Sequence, residues 1–459
     1  MRAFLKKMMS KAPEPVVELA KVIYDFASPE TRYGKPYVDA LELLAAGGQW
    51  SLDELAAYQD KCLGQLIGHC RARVPYYREL FKKMGIIPSD IEGTTDLGNL
   101  PFLTKQIVRD RKHDLMAEDF PYLQQDHEHT SGSTGAPLDF YLDRKTRAME
   151  MALALRVLLW LGYGKGDRVA EFKEDRFVDP KRICRYFPGS RHLKFSFFTV
   201  DDERLDRMVK ELQRFRPAFI KAFPSSILIL ARWMERHGRT IPPPKCIITS
   251  SENLYPSIRE QVERVFRAPV IDYYGQNERV ATAFQCSLAN GYHVQMEEAV
   301  VEMIPSRGEQ CEIVGTSLIS FGMPFIRYRT GDLAVPGAEP CPCGKSHPLI
   351  SRIVGRECDV IITPEGNIVA PVAMDYAFCH LDEIREAQII QESVDTLRVK
   401  IVAWDALSES TRTRLRREID SYLQSPAMKV YWEEVDEIPR TNGGKRPFVV
   451  SKINMDDFL

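Results

Sequence analysis

Between residues 167 and 305, short β-prone runs alternate with helical ones, and this limits the fold more than any other feature of the chain. The β-prone runs are Val169–Phe172, Phe195–Val200, Phe219–Ala222, Cys246–Thr249 and Val270–Tyr274. Helical runs separate them at Arg204–Phe215, Ser225–His237 and Ser257–Phe266. Such alternation is the signature of an α/β sheet with flanking helices. Residues 291–335 then show short strands with no helices between them, which predicts a β-rich subdomain.

The flanks of this region are read in the same way. Val16–Tyr24 and Leu52–Val74 carry apolar residues at three-to-four spacing, with Ser51 and Glu54 forming a capping box, and Pro75-Tyr76-Tyr77 ends the helical lead-in. Leu100–Lys105 turns into a helix, Leu138–Leu142 alternates as a strand, and Thr146–Leu161 is a long apolar helix. A boundary near Val354–Asp359 precedes strands at Val360–Ile362, Ala387–Ile390, Leu397–Ala403 and Lys429–Trp432, with a helix at Ser408–Leu423. The expected organisation is a helical lead-in over 1–75, a large domain of mixed sheets over 76–355, and a small mobile α+β lid over 356–459.

Charge and composition exclude several classes. Formal net charge is -2, from 62 basic and 64 acidic residues, so bulk attraction to nucleic acid or membrane is not expected. The basic Met1–Lys11 lacks a long apolar run and is no secretory signal. The longest apolar stretch, Met151–Gly162, is broken by Arg156 and too short to span a bilayer. Ten scattered cysteines without such a signal predict reduced thiols and a cytoplasmic protein.

Five stretches carry chemistry. The first, His129–Asp139 (H-T-S-G-S-T-G-A-P-L-D), gathers Thr130, Ser131, Ser133 and Thr134 around Gly132 and Gly135. Small residues let backbone N–H groups and hydroxyls converge on one concavity suited to an anion such as a triphosphate. No Lys follows Gly135, so this is not the G-x-x-x-x-G-K-[ST] loop of a P-loop phosphotransferase. A polar surface turn has the same composition.

The second, Tyr273–Glu278 (Y-Y-G-Q-N-E), follows an apolar strand, where α/β sheets place their ligands. A carboxylate there can hold Mg²⁺. The third, Tyr328–Asp332 (Y-R-T-G-D), offers an Asp able to accept from a ribose diol and an Arg able to bond phosphate or carboxylate. The fourth is Gly355-Arg356-Glu357-Cys358-Asp359. The fifth, Ile438–Lys445, ends in a Lys on a Gly-Gly loop, and a cation arriving late can neutralise charge developing on a phosphate. Alone, each also reads as an ordinary turn.

In this order and spacing the five resemble the adenylate-forming superfamily of acyl-CoA synthetases, adenylation domains and luciferases, from about residue 70 to 450. T-S-G-S-T-G-A-P-L, Leu100–Lys105 and Phe223-Pro224-Ser225-Ser226 look like the phenylacetate–CoA ligase branch, especially its capsular polysaccharide biosynthesis relatives. The resemblance implies an AMP-forming ligase using ATP and Mg²⁺. Thr130, Ser131, Gly132, Ser133, Thr134 and Gly135 would wrap the phosphates. Ser251 and Glu252, with Asn253, would line the adenine. Tyr274 and Gly275 would pack beside nucleotide and substrate, and Glu278 would bind Mg²⁺. Asp332 would hold the ribose hydroxyls with Arg356 nearby, and Lys445 would bridge carboxylate and α-phosphate. Cys358 and Asp359 would form the hinge on which the lid rotates. Many members end the first motif in Pro-Lys and have Asp at the hinge, where this chain has Leu138 and Cys358.

The resemblance leaves the acceptor open between CoA, giving an acyl-CoA, and an amine on a sugar or other metabolite, giving an amide. A non-catalytic nucleotide-binding homologue is the other alternative, and Lys445, Glu278 and Asp332 argue against it. Aromatic acids fit the named relatives, with Phe219, Phe223 and Tyr273 available to line a pocket. A homodimer is left open.

Cys341-Pro342-Cys343-Gly344 resembles half a zinc ribbon, and Zn²⁺ takes four S/N ligands. Cys286 and His293 supply a second pair, at positions that recur in the capsular-type branch, so the expected set is Cys286, His293, Cys341 and Cys343 in a structural role. His347 and Cys311 are the substitutes, and free loop thiols the alternative. His69, His113, His192, His237 and His380 are isolated and read as packing residues. Arg412–Arg417 reads as a solvated helix face.

Overall fold

A computed structural model describes residues 28–87, 90–121, 125–129, 138–173, 182–197, 201–337, 340–356, 361–365, 368–369, 374, 377–378, 381, 383–440 and 447–453. The helix expected at Val16–Tyr24 lies outside them. Ten helices are used below: α1 Pro29–Tyr33, α2 Lys35–Gly47, α3 Leu52–Arg73, α4 Pro75–Met84, α5 Lys105–Asp110, α6 Arg144–Trp160, α7 Asp202–Phe215, α8 Pro224–Arg236, α9 Pro256–Phe266 and α10 Glu409–Leu423. The capping box of α3 forms as read: Glu54 N donates to Ser51 Oγ at 3.2 Å and Ser51 N to Glu54 Oε2 at 2.7 Å. Pro75 both ends α3 and opens α4, because a proline at N1 lacks only an N–H that would have no partner there.

A hairpin of β1 (Asp126–His129) and β2 (Asp139–Leu142) precedes α6. The large sheet then draws on β3 (Val169–Lys173), β4 (Cys184–Phe187), β5 (His192–Ser196), β6 (Phe219–Ala222), β7 (Cys246–Ser250), β8 (Val270–Gly275) and β9 (Thr282–Gln285). It continues with β10 (Tyr292–Val294), β11 (Ala299–Arg307), β12 (Gln310–Ser317), β13 (Tyr328–Pro336) and β14 (Leu349–Arg356). Strand order is β11-β12-β13-β14-β10-β9-β8-β7-β6-β3-β5-β4, twelve strands in one sheet. The β-rich segment is therefore continuous with the parallel strands β5-β3-β6-β7-β8.

The parallel strands are short apolar runs because helices cover both faces. On one face α7, α8 and α9 pack Leu205, Met208, Leu212, Ile227, Leu230 and Val262 against Phe172, Phe195, Ile220, Ile247 and Val270. On the other, α6 lays Leu158 over Val169, Phe219, Cys246 and Ile248, and α2 packs on its back through Tyr37, Ala40 and Leu44. The strand expected at Phe195–Val200 starts earlier, at His192, because its burial alternates about Leu193 and Phe195. Edge strand β4 (C-R-Y-F) escaped sequence reading, having little apolar pattern.

Beyond residue 360, β15 (Ile361–Ile362) pairs with β16 (Ile368–Val369). β17 (Ile384–Ser393), β18 (Thr396–Ala403), β19 (Lys429–Glu434) and β20 (Val449–Ser451) form a separate sheet ordered β19-β18-β17-β20. Leu415, Ile419 and Leu423 of α10 cover it with a core of its own. Arg232 of α8 ties this unit to the large sheet, donating to Ile384 O at 2.9 Å and Arg385 O at 3.3 Å.

Candidate active site and metal centre

Parallel strands deliver their chemistry at their carboxyl ends, and a cleft of about 1340 Å³ lies there between the sheet and the C-terminal unit. Tyr274 and Gly275 end β8, and the turn after them carries Glu278 into the cleft wall. Four places along the strand order from β8, a bulge at Gly331 (φ 74°) presents Asp332 on β13. The Tyr274 hydroxyl donates to Asp332 Oδ2 at 2.8 Å. Burial and the neighbouring carboxylate push that phenol well above its ordinary pKa, so it stays a donor. Asp332 N donates to Thr330 Oγ1 at 3.0 Å, which itself donates to Ile313 O at 2.7 Å, fixing the bulge. Glu278 is buried, and its Oε1 accepts from the Tyr328 hydroxyl at 2.9 Å. The second and third sequence motifs thus meet twice.

Ser251 follows β7 in a left-handed conformation, φ 72°. The next residue, Glu252, accepts from Ser225 N and Oγ at 3.0 and 3.1 Å, capping the start of α8. Asn253 packs on the end of β14: a Cβ at Gly355 would fall 2.6 Å from its Nδ2, and Gly355 has φ 123°. Arg356 stands opposite Asp332 in the β13–β14 register, so the backbone brings the fourth motif beside the third. Ser251, Glu252, Asn253, Tyr274, Gly275, Glu278, Asp332 and Gly355 all line the cleft.

Thr130–Gly135, Cys358, Asp359 and Lys445 lie outside the described residues. What flanks them is informative. The register pairs His129 with Asp139 across the β1–β2 hairpin. Ile438 and Pro447, on either side of the Lys445 stretch, line the cleft, and the Arg440 guanidinium bonds Phe197 O beyond the end of β5. Arg329 finds its carboxylate within the fold, bonding Glu312 Oε2 through Nε at 2.7 Å and Nη2 at 2.5 Å. That corrects its expected use toward a ligand.

Sequence reading missed the support of the hairpin. Arg147 of α6, nearly buried, bonds Asp126 Oδ2 and Glu150 Oε2 at 2.8 Å each and pairs with Glu128. Glu150 Oε1 accepts from Arg279 Nη2 at 2.5 Å, and Arg279 is the residue after Glu278. One ion-pair chain therefore links the hairpin to the Y-G-x-x-E turn. Its signal in the sequence was an Arg and a Glu three residues apart at the start of a helix that turns apolar after them.

The four proposed zinc ligands converge. Cys286 follows β9, His293 lies on β10, and Cys341 and Cys343 lie on a turn before β14 closed by Gly344 at φ 79°. Their ligand atoms all lie within 4.8 Å of one another. Cys286 Sγ is 3.9 Å from Cys341 Sγ, and Cys343 Sγ is 3.4 Å from His293 Nε2. A tetrahedron with bonds of about 2.3 Å has sulfur–sulfur edges of roughly 3.8 Å, so these two pairs already sit close to the spacing that Zn²⁺ takes. Burial holds the His293 imidazolium down to about 4, leaving the neutral ring a metal requires. Burial raises the Cys343 thiol to about 11 in the protein alone. The substitutes are elsewhere. Cys311 lies on β12 opposite Ala334. His347 bonds Glu297 at 3.1 Å, and Glu297 also accepts from Arg156 at 2.8 Å. Trp160 stands edge-on to both His293 and His347, at 5.6 and 5.7 Å.

Among the described residues no helix is long and apolar enough to cross a membrane. Residues 361–452 match the CapK C-terminal domain. Protein CapK of Staphylococcus aureus is 24% identical over 442 residues, covering 92% of this chain and 94% of that protein. A phenylacetate–coenzyme A ligase of Thermus thermophilus is 25% identical over 441 residues, covering 86% of this chain and 95% of the ligase. By fold, a crystal structure of 2-hydroxyisobutyryl-CoA ligase in the postadenylation state with R3-HIB-AMP aligns with a TM-score of 0.69 at 20% identity, covering 90% of this chain and 92% of that one. Over nearly its whole length the chain is thus similar in sequence to CapK and to phenylacetate–CoA ligases, and its fold is that of an adenylate-forming CoA ligase.

Proposed function

We propose that this chain is an AMP-forming carboxylate ligase. In the first half-reaction a carboxylate oxygen attacks the α-phosphorus of Mg·ATP, giving an acyl adenylate and pyrophosphate. In the second the CoA thiol attacks the mixed anhydride, giving a thioester, AMP and a proton. The observation that carries the reading is the Tyr274–Asp332 bond in a cleft that also holds Glu278 and Ser251–Asn253. A hydroxyl and a carboxylate poised together suit an adenine nucleotide better than an apolar ligand.

Within this reading Thr130–Gly135 wrap the phosphates and Ser251 and Glu252 border the adenine. Asp332 and Arg356 take the ribose, Glu278 holds Mg²⁺, and Lys445 bridges carboxylate and α-phosphate. Cys358 and Asp359 are the pivot between the large domain and the lid over 356–459. The relatives named for CoA ligation favour CoA over an amine acceptor. Zn²⁺ bound by Cys286, His293, Cys341 and Cys343 is structural, because four protein donors leave no open position for a substrate. The reaction is placed in the cytoplasm, where both co-substrates are supplied.

The test is carboxylate-dependent ATP–pyrophosphate exchange, followed by AMP release with and without CoA. Exchange that needs an acid, with AMP release that needs CoA, is the expected result. Formation of ADP, or ATP binding with no exchange, would remove the reading. AMP release driven by an amine and not by CoA would move the acceptor to the amide alternative.

A further inference from the structure

Successive residues of a strand face opposite sides of the sheet, so β8 ends in two tyrosines that point apart. Tyr274 turns toward Asp332 and packs with the β-rich half of the sheet. Tyr273 turns toward α6, and there it lines the same cleft with Met151 and Leu155 of α6 and Ile248 of β7. Within the ligase reading the nucleotide lies on the Tyr274 side, which leaves the Tyr273 side for the acid.

The Tyr273 ring is held from behind by a row of side chains that crosses three strands. The register sets Tyr273 of β8 opposite Phe284 of β9, and Phe284 opposite His293 of β10. Such directly opposed side chains are the contacts that order the surface of a sheet. The rings of Tyr273 and Phe284 stack 6° from parallel, with 5.6 Å between their centroids. One end of the row therefore belongs to the cysteine–histidine cluster and the other to the cleft wall. Trp160, the last residue of α6, lies against this row, its ring centroid 4.8 Å from that of Phe284 and 5.6 Å from that of His293. Two cations fix the indole in turn, Lys345 Nζ at 4.3 Å from the ring centroid and the Arg156 guanidinium at 4.8 Å. Lys345 stands two residues after Cys343, and Arg156 bonds Gln295 and Glu297 at 2.9 and 2.8 Å, so both cations are tied to the surroundings of the cluster. Phe284 is fully buried, and a close-packed ring shifts only when its neighbours do. A change at Trp160 is thus passed to Tyr273, although Trp160 is not among the residues that line the cleft.

We propose that Trp160 is a positioning residue for the acid. Seated against the cysteine–histidine cluster, it presses on Phe284, and Phe284 sets where the Tyr273 ring stands on the acyl side of the cleft. This rests on the ligase reading above and adds to it a determinant of acid specificity that lies outside the cleft. The cluster then does more than brace the sheet: through Trp160 it also shapes the wall that the acid meets.

ATP–pyrophosphate exchange in the full chain tests it, with whichever of a panel of aryl, fatty, hydroxy and amino acids gives the highest kcat/KM. Trp160→Leu should raise the KM for that acid on the order of tenfold and leave the KM for ATP unchanged. Trp160→Phe, which keeps an aromatic ring against Phe284, should recover most of the loss. Equilibrium dialysis of the labelled acid with a non-hydrolysable ATP analogue should show the same change in affinity. In a Tyr273→Leu background, Trp160→Leu should have no further effect on the KM for the acid, because the ring it positions is gone. A part in the fold alone would lower kcat and melting temperature without singling out the acid, and would cost as much with Tyr273 as without it. Either result overturns the proposal, as does an unchanged KM for the acid in Trp160→Leu. Should the Leu variant not fold, Trp160→Phe carries the same comparison in both backgrounds with a smaller shift. If no acid supports exchange while Mg·ATP binds, the ligase reading itself fails and this proposal with it.

Discussion

The hydroxyl of Tyr274, at the end of a parallel strand, is fixed 2.8 Å from a carboxylate oxygen of Asp332 on a strand that enters the sheet from its antiparallel half. The two halves of the sheet therefore share one binding surface. Asp332→Ala should weaken ATP binding by roughly 1.5–3 kcal/mol, the worth of hydrogen bonds to a charged group. Tyr274→Phe keeps the carboxylate and should cost less. Calorimetric titration with ATP measures both, and unchanged affinity in Asp332→Ala would take this residue out of the ribose role.

Lys445→Ala should reduce pyrophosphate exchange on the order of 10²–10³-fold, as removal of a charge-stabilising donor does. A preformed acyl adenylate supplied to the variant should still react with CoA. Equal loss in both half-reactions would show that the lysine is not confined to adenylation.

The thiol–imidazole cluster predicts one zinc per chain by elemental analysis. Cys343→Ser should lower the zinc content and the melting temperature together, with the loss of exchange following the loss of fold. A variant lacking zinc with unchanged melting temperature would refute the structural role.

Glu298 gives a prediction about pH. It is fully buried, and the Thr282 hydroxyl beside it offsets only part of the cost of burying its charge. Burial raises its pKa to about 7, above the value of about 4.3 expected in the unfolded chain. Between these values the folded state holds more protons, so stability falls as pH rises through the window. Glu298→Gln removes the penalty. It should raise the melting temperature at pH 8, where the penalty is on the order of 3 kcal/mol, and change it little at pH 4.5. Thermal unfolding at the two pH values measures this, and equal shifts at both would contradict the titration.

Much of the fold could be read because its elements are locally consistent. Phe219–Ala222 and Cys246–Ser250 are short apolar runs bounded by helices, and no other element suits them. The Cys341–Cys343 pair was also legible, since spacing limits what two thiols on a Gly turn can do, while Cys286 and His293 came from the resemblance. The Arg147–Glu150–Arg279 chain was not, because its second link joins residues 129 apart and each residue looks ordinary where it stands. Arg329 misled for the same reason: the carboxylate it needed was Glu312, on the neighbouring strand. The alignment of Lys194, Glu171 and Lys221 escaped because they belong to three strands that only the register brings together.

The place of β14 in the sheet bears on how the protein is made. β14 lies between β13 and β10, although some fifty residues separate it from β10 in the chain. As the chain emerges from its N-terminus, β10 waits as an open edge until residue 350 has been synthesised, and open edges invite pairing with other chains. The cysteine–histidine cluster spans that seam, with Cys286 and His293 on the early side and Cys341 and Cys343 on the late side. A metal captured there would draw the two sides together and close a long loop just before the last strand is laid in. The same four residues that look like a static brace in the finished molecule would then also act as its clasp during assembly.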